Sequence, residues 1–340
     1  MTLVIRAWVD GLRRVATAPM LWLGVYGLTL AATLPMGYVL HESITTHLGA
    51  STVSTSVAEG FDAGWWGEYQ QSASGIARTL VPEVIGFAAV LANLSSVADG
   101  ELPRGAVAGL VVVYIAAWAF LVGGIIDRLA RQRRVASAGF FAACGVYFWR
   151  FTRLALLVGS VYWLLFAVVH PWLFGDLYTA MTLDTTAERN AAIVQFSLYG
   201  VFGGLLFAVT LIFDYAKIRA VVEDRRSMIG AVAASLRFVR RRLATVIGLY
   251  LLNVLLFAAV LLAYAVSAPG AGTTGTTVWL GFGIGQAYVA ARLFTKLAFY
   301  ASQTAYFQSE LAHARYVARP QPQWSMSPMA EAISAPPHES

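Results

Sequence analysis

A chain of 340 residues in which 58% are hydrophobic, only 12% are charged and the formal net charge is +6 lies far from the composition of soluble domains. A mean hydropathy of +0.65 argues against an ordinary water-soluble enzyme and makes a lipid bilayer the expected solvent. Nucleic acid is not the expected partner of the basic balance, because the positive charge is spread over every loop of one side instead of forming one patch.

At the start of the chain, Ile5, Trp8, Leu12 and Val15 recur at helical spacing against Arg6, Arg13 and Arg14, the pattern of a helix lying on a membrane surface. The apolar run that follows, 20–40, is read as a retained first span, since Ala31-Ala32-Thr33 makes a poor cleavage site for a signal peptide. Hydrocarbon about 30 Å thick is crossed by roughly 20 helical residues. Five further runs reach that length: 106–126, 154–174, 191–213, 243–266 and 278–300. The expected fold is all-α, an integral membrane bundle of six transmembrane helices within residues 1–319.

Between the first and second runs, 41–105 is the expected extracytoplasmic segment, with a re-entrant or interfacial helix near 80–97 that is too short to span. His41, Glu42 and His47 lie in this segment, but histidines six residues apart do not share a helical face as in the zinc-binding H-E-x-x-H pattern. Trp65, Trp66 and Tyr69 are expected at the headgroup level. So is His170, before Pro171 at the outer end of the third run.

The third run is preceded by Phe140, Phe141, Cys144, Tyr147 and Phe148 on one side of a helix, with Arg150 and Arg153 as a collar. The fifth is preceded by Ile229, Val232, Leu236, Val239 and Leu243 against Arg226, Arg237 and Arg241. Arg237, Arg240, Arg241 and Arg242 end where that span begins. Together with Arg150 and Arg153 they are the expected membrane-surface arginines, held near anionic headgroups of the inner leaflet. Superposing Gly139 on Gly230 brings Arg150 onto Arg241, and the steps from Gly203 to Asp214 and from Gly281 to Arg292 are equal. Three pseudo-repeated hairpins, each preceded by an amphipathic interfacial helix, account for this spacing.

Of the 24 Lys and Arg residues, only Arg78, Arg104 and Arg189 fall after an odd-numbered run. The positive-inside rule therefore places both termini in the cytoplasm. Only Lys217 and Lys296 are lysines, a compositional hint of a GC-rich bacterial source. The prolines at 320, 322, 328, 336 and 337 mark 320–340 as a disordered cytoplasmic tail.

With FDYAKIRAVVEDRRS followed by RFVRRR, the chain resembles a broad set of uncharacterised bacterial multi-pass membrane proteins. That set is similar to the membrane domain that precedes some glycerophosphodiester phosphodiesterases. FDAGWWGEY, TLVPEVIGFAAVLANLS and QAYVAARLFTKLAFYASQTAYFQ resemble a narrower subgroup of it. The resemblance implies topology and carries no catalytic residue with it.

No nucleophile, acid–base pair or metal set stands out in the aqueous loops, so neither an enzyme nor a cofactor is expected, and the single cysteine, Cys144, excludes an intrachain disulfide. Charges at membrane depth are the stronger signal: Asp127, Asp214, Arg292 and Lys296 fall at the inner ends of even-numbered runs, where each needs a partner or a path to water. An acid–base cluster of Asp127 and Asp214 with Arg292 is the expected arrangement. Gly200 with Gly204 and Gly281 with Gly285 offer small-xxx-small contacts, and Gln195, Asn253 and Gln286 offer interhelical hydrogen bonds. The function expected is that of a non-enzymatic protein of the bacterial cytoplasmic membrane, handling lipid or supporting a membrane partner. The alternative is a transporter of a small or anionic solute with a path between the repeats.

Overall fold

A backbone carried by long apolar runs can satisfy its own N–H and C=O groups in hydrocarbon only as helix or closed barrel. In a computed structural model, which describes residues 2–49, 51–59, 62–74, 77, 106–133, 136–184, 187–268 and 275–313, the described segments are helical, with no strand among them. The segment expected near 80–97 and the tail 320–340 lie outside the described residues.

The helices are α1 (Thr2–Ala16), α2 (Pro19–Leu48), α3 (Val53–Glu59), α4 (Ala63–Ser72), α5 (Ala106–Arg131), α6 (Ser137–Leu164), α7 (Tyr178–Thr182), α8 (Glu188–Val222), α9 (Met228–Arg241), α10 (Leu243–Ser267) and α11 (Gly275–His313). Among the described residues, four helical stretches are long and apolar enough to cross a membrane: α2, the continuous stretch Ser137–Thr182, α8 and α10. The runs expected at 106–126 and 278–300 fall on α5 and α11, which are not among those four. In α11 the apolar pattern is diluted by Gln286, Arg292 and Lys296.

The stretch Ser137–Thr182 passes Pro171 without breaking. Proline removes an N–H and crowds the carbonyl one turn back. The helix accommodates it by widening into π-helical turns on both sides, at Leu165–Val169 and Trp172–Leu177. The third run therefore continues as helix beyond its expected end at 174, and its prelude joins it with no break.

The other two preludes are separate helices, and both pack on protein. α9 starts at Ser227, whose hydroxyl accepts from the Gly230 N–H at 3.2 Å, and ends at Arg242, where the backbone leaves helical geometry before α10. Met228, Ala231, Ala234, Ser235 and Val239 form its buried face against α8. The expected apolar stripe is offset from that face, for Ile229 is 71% exposed and Leu236 is also exposed. α1 lies against α11 with Ala7, Gly11 and Arg14 inward, while Ile5 is exposed. A Cβ at Gly11 would come within 2.5 Å of the Ser302 backbone, so only glycine lets these helices approach so closely.

α1, α9, residues 214–222 of α8 and residues 298–313 of α11 thus make a compact layer at the arginine-bearing end. Its core contains Tyr215, Ala216, Ile218, Val239, Tyr306 and Phe307, tied by the Phe238 ring at 5.1 Å from Tyr215 and 5.3 Å from Phe307. A second cluster joins Val15 and Leu21 to Ile125, Leu129, Cys144 and Leu297. At the opposite end Leu165, Leu173, Leu198 and Phe202 form a much smaller one.

Candidate functional site

The charges anticipated at membrane depth do not all converge. Asp127 binds Arg131 one turn away at 2.7 Å, and Asp214 binds Lys217 at 2.7 Å, so each acid takes a partner from its own helix. Lys296 lies 3.4 Å from the centre of the Trp118 ring, a cation–π contact between α11 and α5. It is also within electrostatic range of Lys217, Arg292 and Asp214. Asp214, Lys217, Lys296 and Arg292 therefore share one region, and Asp127 pairs apart from it beside Arg131. Arg292 is exposed and forms no ion pair with Asp214, contrary to the anticipated pairing.

Sequence reasoning missed the other members of that polar layer. Lys217 lies 5.8 Å from the centre of the Tyr300 ring, and the Tyr162 hydroxyl is 3.2 Å from that of Thr210. Tyr250 stands edge-on to Phe207 and Phe299. Tyrosines scattered over α6, α10 and α11 share no sequence spacing, so only the packing brings them together. The layer combines an acid, two lysines and phenol groups between helices, an arrangement able to bind a charged or hydrogen-bonding solute or to lock the bundle.

The uncharged polar residues act as anticipated at two of three positions. The Asn253 amide donates to Ser302 Oγ at 2.9 Å, joining α10 to α11, and Gln286 accepts from the Tyr26 hydroxyl at 2.7 Å, joining α11 to α2. Among the described residues, Gln195 hydrogen-bonds only with Tyr199 of its own helix. The glycine pairs behave otherwise: a Cβ at Gly200, Gly204 or Gly285 would meet nothing within 4 Å. Close approach occurs instead at Gly11 and at Gly123 and Gly124, which receive Tyr147 and Cys144. Those two stand one helical turn apart on α6, and a face of that kind opposite a Gly-Gly pair is the signal that sequence reasoning passed over.

A further unanticipated side chain is Arg14. Placed by periodicity on the polar side of α1, it is 8% exposed and donates to the Leu129 carbonyl at 3.2 Å and to Gln308 Oε1 at 2.7 Å, with Asp10 2.8 Å away. It closes the C-terminal end of α5, where a cation also complements the helix dipole.

The surface arginines divide. Arg150 pairs with Asp224 and Arg242 with Glu310, whereas Arg153, Arg237, Arg240 and Arg241 are exposed. Burial opposes ionisation of Glu223, but hydrogen bonds from Arg219 and Arg225 outweigh it and hold its carboxyl below the ordinary 4.5. In the 41–105 segment, the Trp65 indole donates to His47 Nδ1 at 3.1 Å and Trp65 stacks on the buried Tyr69. This seats α4 on the end of α2. No group of three metal-ligating side chains occurs among the described residues. His170 lies against Phe166, Phe174 and Phe202.

A concavity stands apart from the polar layer. A groove of about 790 Å³ opens between the first half of α2, α5 and the start of α6, with Leu21, Val25, Leu28, Leu121, Phe140 and Phe141 as its apolar walls. Thr17, Arg128 and Ser137 stand at its basic end.

No family model, no curated protein and no solved structure matches this chain.

Proposed function

We propose that this chain is a non-enzymatic integral membrane protein of the bacterial cytoplasmic membrane that holds an anionic lipid of the inner leaflet. The observation that carries this reading is the groove beside Arg128. From Pro19 to Leu28 it follows α2 for about 14 Å at 1.5 Å per residue, with apolar walls suited to an acyl chain and, at one end, the Arg128 guanidinium and the Ser137 hydroxyl suited to a phosphate. The exposure of Met20, Leu23 and Leu28 beside it supports a surround of hydrocarbon over one of water.

In this reading α2, α5, Ser137–Thr182, α8, α10 and α11 are six spans with both termini cytoplasmic, and the layer built on α1 and α9 lies at the inner leaflet. The four long apolar helices and the one-sided arginines support it. Three pseudo-repeated hairpins, and kinship with the bacterial multi-pass proteins named above, belong to the same proposal.

The test is lipid retention. Gly24 lines the groove and has open space where a Cβ would project, so Gly24→Trp plugs the groove without disturbing a packed contact. Native mass spectrometry of the protein released from membranes of known composition should show at least one phospholipid retained by the native chain, and one fewer by Gly24→Trp and by Arg128→Gln. Equal retention by all three refutes the proposal.

The polar layer around Asp214 and Lys217 favours a second reading, transport of a small anionic solute. In that case Asp214→Asn abolishes solute flux in proteoliposomes while lipid retention is unchanged.

A further inference from the structure

We infer that the arginine-bearing end carries a second, independent site, for a phosphate group, in the hollow between the end of α8, α9 and the end of α11. This hollow has a volume of about 710 Å³ and is lined by Arg219, Arg225, Arg237, Arg241 and Arg242 above an apolar floor that includes Phe238 and Phe307. Five arginines line it against one carboxylate, that of Glu310, while Glu223, outside the lining, pairs with two of them.

The carboxylates are already engaged. Glu223 binds Arg219 at 2.7 Å and also binds Arg225, and Glu310 binds Arg242 at 2.8 Å. Arg219 is fixed further by donating to the Ala234 carbonyl at 2.7 Å and by lying 5.3 Å from the centre of the Phe307 ring. Arg237 and Arg241 form no ion pair among the described residues. They stand one turn apart on α9, on the same side of the helix. The site therefore has a positioned arginine at its base and two uncompensated guanidiniums at its rim. A planar fork of donors above aromatic rings suits a phosphate oxygen set.

Favourable dipole contacts and the one-sided charge rule explain basic residues near the end of α9, but they do not require five to surround one hollow. The phosphate can belong to a lipid headgroup or to a soluble phosphate compound, and the experiment separates these sources. It uses the Gly24→Trp background, so that the groove beside Arg128 contributes nothing and the two proposals fail independently.

In nanodiscs of phosphatidylcholine, inorganic pyrophosphate is titrated by calorimetry. In parallel, retention of phosphatidylglycerol from mixed nanodiscs is read by native mass spectrometry. Arg237→Gln with Arg241→Gln should weaken binding about 30-fold, each arginine near an anionic group contributing about fivefold. Arg153→Gln with Arg240→Gln removes equal charge from exposed positions that do not line the hollow, and should leave binding within about threefold. Pyrophosphate binding with this pattern identifies a soluble ligand. Phosphatidylglycerol retention alone, with the same pattern, identifies a headgroup. Absence of both, or equal weakening by the two double variants, overturns the inference.

Discussion

The two ends of the molecule are built on different rules. At the arginine-bearing end Tyr215, Ala216, Ile218, Leu297, Ala301 and Tyr306 are all fully buried. At the opposite end Phe196, Leu262, Val266 and Trp279 are 66–81% exposed. Removing apolar area from water drives the first kind of packing. In hydrocarbon that drive is absent, and helices meet through van der Waals contact and a few polar links, a rule with which the second end is compatible. The comparison teaches that apolar content alone does not locate the core of this chain: the dense packing lies where small residues and paired charges meet.

The sharpest way to break that contrast is to enlarge a glycine on each side of it. Gly11→Leu drives a side chain into the Ser302 backbone and should lower stability by about 3 kcal/mol, separating α1 from α11. Arg14→Met comes next. It leaves the Leu129 carbonyl and Gln308 without their donor and should cost about 2 kcal/mol, read by chemical denaturation in detergent.

Smaller and pH-dependent is the contribution of Glu223. Its carboxyl is held below the ordinary 4.5 in the folded chain, so its stabilisation is complete above that value and is lost as pH falls through the depressed one. The gap in melting temperature between the native chain and Glu223→Gln should be constant at neutral pH and shrink on acidification below 4.5. The smallest effect belongs to Gly204→Ala, where nothing lies within 4 Å of the new Cβ. Helix propensity alone predicts a change of about 1 kcal/mol or less, in the stabilising direction. A loss at Gly204 matching that at Gly11 would abolish the distinction between the two ends.

Much of the helical plan was legible because run length and the one-sided arginines are strong local signals. The α9 prelude was recognised from Ile229, Val232 and Leu236, yet the face that packs on α8 uses Ala231, Ala234 and Ser235. A hydropathy pattern finds the side that avoids water and passes over the side made of small residues, because small residues matter through what they let approach. Arg14 misled for a related reason: its charge marks it as exposed, and only a carbonyl and an amide supplied from α5 and α11 make its burial favourable. The polar layer was half visible, since Asp214, Arg292 and Lys296 stand out in apolar runs, whereas Tyr162, Tyr250 and Tyr300 look like ordinary interfacial aromatics until the helices are assembled.

The seat of α1 has a consequence for how the chain is made. Arg14 and Gln308 are separated by 294 positions, so at roughly 5–20 residues per second a ribosome needs about 15–60 s between them. Throughout that interval the leading helix has no mate for its glycine notch, and its guanidinium lacks the Gln308 acceptor. Emergence of α11 is therefore the event that shuts this part of the fold, and a message cut short before it yields a product whose α1 has nowhere to dock.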